Sequence, residues 1–150
     1  MRIVCDTREK QPYAFPGLET ITKALPVGDY AIEGFEDGIV LERKSLNDFV
    51  NTVIGDWPRF VECLKRMRRV EYAAIIVEAE IDDVVTHRYE SRASASAVLG
   101  RANSISVNWG VPVFFWSNRQ ECQMMAASML SLFWERKQRQ QRKGGEQCGR

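Results

Sequence analysis

The residues best suited to chemistry fall in one stretch: Gly28-Asp29, then twelve residues, then Glu42-Arg43-Lys44, then Asp48. Carboxylate oxygens are the donors that hard cations such as Mg²⁺ and Mn²⁺ prefer. A divalent metal lowers the pKa of its water and offsets charge developing on a phosphate. A lysine beside such a site faces the attacking water or the phosphate, so the set contains the parts for phosphodiester hydrolysis. Residues i and i+2 of a strand share a face, so Glu42 and Lys44 project together and Arg43 projects the other way. Asp29 opens the preceding strand, which a hairpin brings alongside Glu42, and Asp6 ends the first strand, where its carboxylate can join the cluster. Charges at strand ends in an apolar sheet call for a partner or a metal. Glu-x-Lys alone says little: roughly one acidic-x-Lys is expected by chance in a chain of ordinary composition and this length. An ion pair between neighbouring surface strands is the plain alternative, and spacing alone supports only Asp29, Glu42 and Lys44.

The elements that must position these residues are legible in outline. Residues 2–5 read as a buried strand, and 7–17, with Pro12, Pro16 and Gly17, as a loop. Three strands follow at 18–25, 29–34 and 38–44, and the breaks at Pro26-Val27-Gly28 and Gly34 to Gly38 suggest consecutive hairpins. Ser45 is placed to cap a short helix with Leu46, Phe49, Val50 and Val53 inward, ended by Gly55. Asp56 can cap the next helix, with Pro58 in its first turn and Phe60, Cys63, Leu64 and Met67 as its apolar stripe. Residues 72–78 look like a central strand buried on both faces, and 79–92 are ambiguous. A helix is expected over 93–108 and a buried strand over Val111 to Trp116. Ser117 with Gln120 forms a capping box for a last helix over 118–137. Strands first, then strand and helix in alternation, predict an α/β domain with a mixed sheet and helices on both faces.

One domain fits in 150 residues, with 45% hydrophobic and 27% charged residues in the usual globular range. The net charge of +1 does not itself point to nucleic acid. Its distribution says more: residues 136–150 hold six basic residues against Glu146, a net +5 that leaves the body at −4. The domain is therefore read as 1–137, and 138–150 as a basic, disordered tail. Cys5, Cys63, Cys122 and Cys148 form no CxxC pair, which argues against a zinc site and for reduced, mostly buried thiols. Met1 to Asp6 reads as a strand rather than a signal peptide, and no apolar run nears the ~18 residues of a membrane helix. The expected location is cytoplasmic, nucleoid-associated or phage-encoded if the source is prokaryotic.

Asp6-Thr7-Arg8-Glu9, Leu25-Pro26-Val27-Gly28-Asp29-Tyr30 and Glu42-Arg43-Lys44-Ser45-Leu46-Asn47-Asp48 together resemble the nuclease motif of XPF-type structure-specific endonucleases. That motif is Gly-Asp, a spacer, Glu-Arg-Lys, three residues, then Asp. The resemblance is strong over about residues 1–70 and implies a restriction-endonuclease-like fold, with a mixed central sheet flanked by helices on both faces. It implies a metal-dependent DNA endonuclease acting on branched or otherwise structured DNA in replication, recombination or repair. Asp29 and Glu42 would hold Mg²⁺ or Mn²⁺, with the Arg43 carbonyl as a candidate third ligand. Lys44 would orient or activate the water, or stabilise charge on the phosphate. Asp6 would complete the acidic cluster, directly or through water, and Arg8 would contact phosphate or position a carboxylate. Arg43 and Asp48 would support these residues from behind. Relatives that cut branched DNA carry a tandem helix-hairpin-helix domain after the nuclease domain. These 150 residues hold none, so a separate DNA-binding subunit or the basic tail is expected to supply the grip.

Other signals are weaker. His87 is the sole histidine, which disfavours nuclease classes needing several. Arg59, Lys65, Arg66, Arg68 and Arg69 suit either a DNA backbone or a solvated helix face. Arg59 is the best nucleic-acid-binding candidate, because it lies in the first turn of its helix. The last helix, with Met124, Met125, Met129, Leu132 and Trp134, is apolar nearly all round, so it is either a core helix or a homodimer interface. XPF-like domains pair through this end. Two rival readings stand beside the nuclease: a catalytically silent DNA-binding or scaffolding module, and a restriction-type or junction-resolving enzyme. Intact Asp29, Glu42 and Lys44 count against the first.

Overall fold

A computed structural model describes residues 1–147, with side chains as far as 143. Six strands form one mixed sheet: β1 (Arg2–Cys5), β2 (Glu19–Thr22), β3 (Tyr30–Ile32), β4 (Ile39–Ser45), β5 (Tyr72–Glu78) and β6 (Val113–Trp116), in the order β2-β1-β3-β4-β5-β6. β4, β5 and β6 run parallel to one another, and β3 is antiparallel to both β1 and β4. The helices are α1 (Leu46–Val50), α2 (Trp57–Met67), α3 (Ile81–Val85), α4 (Ala95–Trp109) and α5 (Arg119–Gln147), with a π-helical turn at Asn51–Gly55 joining α1 to α2.

Period-two alternation along the strands divides the interior into two cores. Val4, Ala31, Val40, Ile75 and Val77 face α1, α2 and α4, meeting Phe49, Leu64 and Ile105 there. Ile3, Tyr30, Leu41 and Ile76 face the other way, toward Tyr13 and Phe15 of the 6–18 loop and Cys122, Ala126 and Leu130 of α5. Each large side chain so buried contributes roughly 1.5–3 kcal/mol. The α/β class and the mixed sheet with helices on both faces follow from this division.

Several local expectations are corrected. The hairpin over 18–25 and 29–34 does not form: β2 lies parallel to β1 at the sheet edge, and β3 pairs with β1 and β4 instead. β3 is buried throughout and the edge strand β2 is not, so the apolar Tyr30-Ala31-Ile32 takes the interior place. The hairpin from β3 to β4 is present. β6 begins at Val113 and is half-buried rather than buried, because it pairs only with β5. The polar stretch 79–92 contains α3, whose Glu80 and Asp83 form a reciprocal capping box.

Capping explains the remaining differences. Ser45 caps α1 as expected, accepting the Asp48 N–H. Asp56 stands at the start of α2 but caps it only through its backbone carbonyl, to Phe60 N–H at 3.0 Å. α4 starts after Ser94, whose hydroxyl accepts from Ala97, and ends at Gly110, which takes the left-handed conformation a helix stop favours. At α5 the cap is Asn118, whose side chain accepts the Glu121 N–H at 2.9 Å, while Ser117 donates to the Glu121 carboxylate, so Gln120 is not part of a capping box. α5 continues through the stretch read as a disordered tail, as far as Gln147. Arg, Lys and Gln are all good helix formers, and Arg136 and Lys137 are tied to Glu71 across the start of β5. Cys148 and Arg150 lie outside the described residues. No described helix is long and apolar enough to cross a membrane.

Candidate active site

Two backbone hydrogen bonds and one to its carboxylate fix Asp29 at the meeting point of three strands. Its N–H donates to Leu41 O at 2.8 Å, and its carbonyl accepts from Asp6 N–H at 2.8 Å. Its carboxylate accepts from Arg43 N–H at 2.7 Å. Gly28 makes this approach possible. Its φ is +78°, and a Cβ there would stand 3.0 Å from Val40 Cβ and 3.3 Å from Leu41 O. Both the conformation and the contact disfavour a side chain.

Glu42 and Lys44 share the face of β4 that looks toward α2, and Lys44 Nζ lies 3.2 Å from Glu42 Oε1 and over the Phe60 ring at 5.7 Å. Asp29, Glu42 and Lys44 line a cavity of about 300 Å³ with Asp6, Arg8, Thr52, Arg59 and Arg66. Asp29, Glu42 and Lys44 also line a second hollow of about 440 Å³ on the other side, walled by Arg8, Glu9, Lys10, Gln11, Ser45 and Asp48. The three residues therefore sit at the junction of two hollows. Thr52 enters the first from the π-helical turn, a feature often found at functional sites.

Burial pushes the Asp29 carboxyl up to about 8, with the neighbouring Glu42 charge adding to the rise, against the lowering effects of the Arg43 N–H and Lys44. Of the basic residues lining the cavity, Arg8 is closed on Asp6 and Arg59 and Arg66 are exposed, which leaves Lys44 as the partly buried cation beside Asp29 and Glu42. A divalent cation would add positive charge there. Among the described residues no group of three or more His, Cys, Asp or Glu side chains is arranged to hold a metal. Mg²⁺ needs only one or two carboxylates when waters and substrate phosphates complete its shell, and Asp29 and Glu42 fit that requirement.

The other expected residues hold different places. Asp6 is 2% exposed, and its two oxygens accept from Leu25 N–H at 2.6 Å, Arg8 N–H at 2.9 Å and the Arg8 guanidinium at 2.6 and 3.1 Å. Burial alone would raise its pKa, but Arg8 and these N–H donors hold it below the usual carboxylate range. Asp6 thus fixes Arg8, which also donates to Leu25 O at 2.8 Å. Asp48 is exposed and exchanges hydrogen bonds with Ser45 at the start of α1. Arg59 is 88% exposed at the cavity mouth, loosely paired with Asp56 at 3.9 Å. His87 stands apart, its ring tilted by 33° against Tyr89 at 4.2 Å, with φ +59°.

Arg43 projects to the opposite face and meets residues not singled out from the sequence. It donates to both oxygens of Glu78 at 2.8 and 2.9 Å and to Gln11 Oε1 at 3.1 Å. Glu9 approaches it at 3.6 Å, and Arg119 from α5 donates to the same Glu78 at 3.2 Å. Glu9 stood inside the quoted Asp-Thr-Arg-Glu run and was open to recognition. Glu78, at the polar end of an apolar strand, was a weaker signal, and Arg119 gave none.

Comparison with known proteins places this geometry. The chain is 34% identical over 125 residues to a putative ATP-dependent RNA helicase of Methanocaldococcus jannaschii, covering 81% of this chain and 14% of that protein. It is 30% identical over 128 residues to the 3′-flap repair endonuclease Xpf of Saccharolobus solfataricus, covering 81% of this chain and 51% of that one. It therefore spans at most about half the length of these curated relatives. Among solved structures, XPF from Aeropyrum pernix superposes with a TM-score of 0.69 at 25% identity, over 88% of this chain and 64% of that one. The same protein in complex with DNA gives 0.66 at 24% identity, over 92% and 65%, a likeness of fold. The ERCC4 domain model matches residues 5–129, and the chain belongs to that family.

Proposed function

We propose that the protein is a metal-dependent DNA endonuclease that hydrolyses phosphodiester bonds in branched or otherwise structured DNA. One observation carries the reading: Asp29 and Glu42 share a half-buried cavity with Lys44, which lies 3.2 Å from Glu42, and the Asp29 pKa is raised. The name of the Saccharolobus solfataricus relative, a 3′-flap repair endonuclease, supports it.

Asp29 and Glu42 would hold the cation, and the Arg43 N–H keeps one Asp29 oxygen fixed while they do so. Bound there, Mg²⁺ or Mn²⁺ supplies Lewis acidity, acidifying a water and offsetting charge on the phosphate. Lys44 orients the attacking water or faces the phosphate from beside Glu42. Arg8, held by Asp6, presents positive charge at the edge shared by both hollows. Arg59 offers the backbone a contact at the mouth. Replication, recombination or repair is the setting this chemistry suits.

We extend the proposal to a homodimer through α5, on whose surface Met124 and Leu132 are 62% and 60% exposed. Sedimentation of wild type and Leu132→Glu tests it: a dimer that becomes a monomer is expected, and a monomeric wild type removes the idea.

The catalytic test uses labelled fork, flap, four-way junction and plain duplex DNA with Mg²⁺, Mn²⁺ or EDTA, for wild type and Glu42→Ala. Metal-dependent cutting near the branch, lost in the variant, is expected. Folded wild type that binds these DNAs without cutting would overturn the enzyme reading in favour of a binding module, and fixed sites in plain duplex would point to a restriction-type enzyme.

A further inference from the structure

The charged network behind β4 joins four parts of the chain that are far apart in sequence. Arg43 of β4 grips both oxygens of Glu78 at the end of β5. Arg119, in the first turn of α5, donates to Glu78 at 3.2 Å and to the backbone carbonyls of Gln11 and Pro12 at 2.7 and 2.8 Å. The Arg43 and Arg119 guanidiniums stand 5.9 and 5.0 Å from the centre of the Tyr13 ring. The Arg43, Glu78 and Glu9 side chains are only 10%, 14% and 7% exposed. These charges are nearly dry and depend on one another for partners.

The network touches the candidate metal site at two points. The peptide N–H of Arg43 is the donor to Asp29 Oδ2 at 2.7 Å, so whatever fixes the Arg43 side chain also fixes that donor. Residues 9–11, tied down by Arg119 at Gln11, form one wall of the second hollow, beside Asp29 and Glu42. Register explains the reach. Ser45 pairs with Glu78 and Arg43 with Ile76 on the parallel neighbour, so Glu78 lies on the Arg43 face one step diagonally along β5.

We infer that Glu78 and Arg119 are positioning residues for the metal site: Glu78 acts through Arg43 on the Asp29 carboxylate, and Arg119 locks Glu78 and the 9–11 wall in place from the start of α5. This rests on the metal-dependent reading above. Groups that orient ligands without touching the metal commonly change metal affinity or activity by about 10–100-fold when replaced. Glu78→Gln keeps the shape and one acceptor but loses the charge and the two-pronged grip.

The test combines Mn²⁺ binding, followed by electron paramagnetic resonance, with hydrogen exchange at the Arg43 amide, on wild type, Glu78→Gln, Arg119→Ala, Arg119→Lys, Arg43→Gln and the Arg43→Gln/Glu78→Gln double variant. Glu78→Gln should bind Mn²⁺ about 10–100-fold more weakly and exchange the Arg43 amide faster. Arg119→Lys should restore part of what Arg119→Ala loses, and Glu78→Gln should add little on the Arg43→Gln background. A folded Glu78→Gln with wild-type Mn²⁺ affinity and Arg43 protection would overturn the inference and leave a purely structural ion pair. A Glu78→Gln that fails to fold would pass the decision to Arg119→Ala, where unchanged Mn²⁺ affinity and unchanged exchange would overturn it equally. A wild type that binds no Mn²⁺ would remove the metal reading itself, a result distinct from either.

Discussion

The two faces of β4 carry similar residues in opposite states of charge balance. Toward α2, Asp29 and Glu42 meet one partly buried cation, Lys44, because Arg8 is closed on Asp6 and Arg59 and Arg66 are exposed. Toward α5, Arg43 and Arg119 face Glu78 and Glu9, two against two, with hydrogen bonds closing the set. A balanced set satisfies itself and has no use for a further ion, whereas the deficient set is left with a carboxyl whose pKa is about 8. Imbalance, more than the mere presence of buried charge, separates the face that can do chemistry from the face that supports it.

The comparison breaks most visibly at Glu42. Replacing it with Ala should reduce cleavage by about 10³-fold or more, the scale of losing one element that stabilises developing charge, with the fold retained by circular dichroism. Cleavage persisting in the purified variant would sink the assignment.

On the balanced face the same kind of truncation should instead damage stability. Arg43→Ala leaves Glu78 partly buried with only Arg119 for company, and about 3–5 kcal/mol of unfolding free energy should be lost, read by urea denaturation. An unchanged midpoint would mean that the network is looser than its geometry.

Asp29→Asn should move stability the other way. The folded Asp29 pKa is raised from 3.8 to about 8, so its favourable contribution is fully present below about 4 and is lost as pH rises through 8. Asn does not titrate, so the variant should gain about 4 kcal/mol over wild type between pH 5 and pH 8 without metal. The same proton competes with metal: Mg²⁺ or Mn²⁺ affinity of the wild type should fall about tenfold per pH unit below 8. Calorimetry showing no release of a proton on binding would contradict this.

Arg59→Ala should have the smallest effect. The side chain is 88% exposed, so stability should stay within about 0.5 kcal/mol. DNA binding should weaken, with the salt slope reduced by about one if Arg59 meets a phosphate. An unchanged slope would return Arg59 to the solvated face of α2.

Much of the site was readable because its logic is local. Gly28 and Asp29 adjoin each other, and Glu42 and Lys44 are separated by the two-residue period of a strand, so spacing alone put them on one face. Ser45 and Asp48 form a cap three residues apart. Local pattern misled where a neighbour in space outweighed a neighbour in sequence. The hairpin expected between β2 and β3 gave way because the apolar β3 fits between β1 and β4 and leaves the polar β2 outside. Asn118 caps α5 although Ser117 with Gln120 looked like the better motif.

What the sequence by itself determined was the α/β class, the face shared by Glu42 and Lys44, and the pairing of Gly28 with Asp29, because each depends on backbone period or on a residue's own conformational range. Only the tertiary structure decided that Asp6 is enclosed by Arg8 and Leu25, or that Glu78 and Arg119 stand behind Arg43. Those partners come from separate elements, and which charges meet depends on strand order and register. No periodicity along the chain encodes that directly.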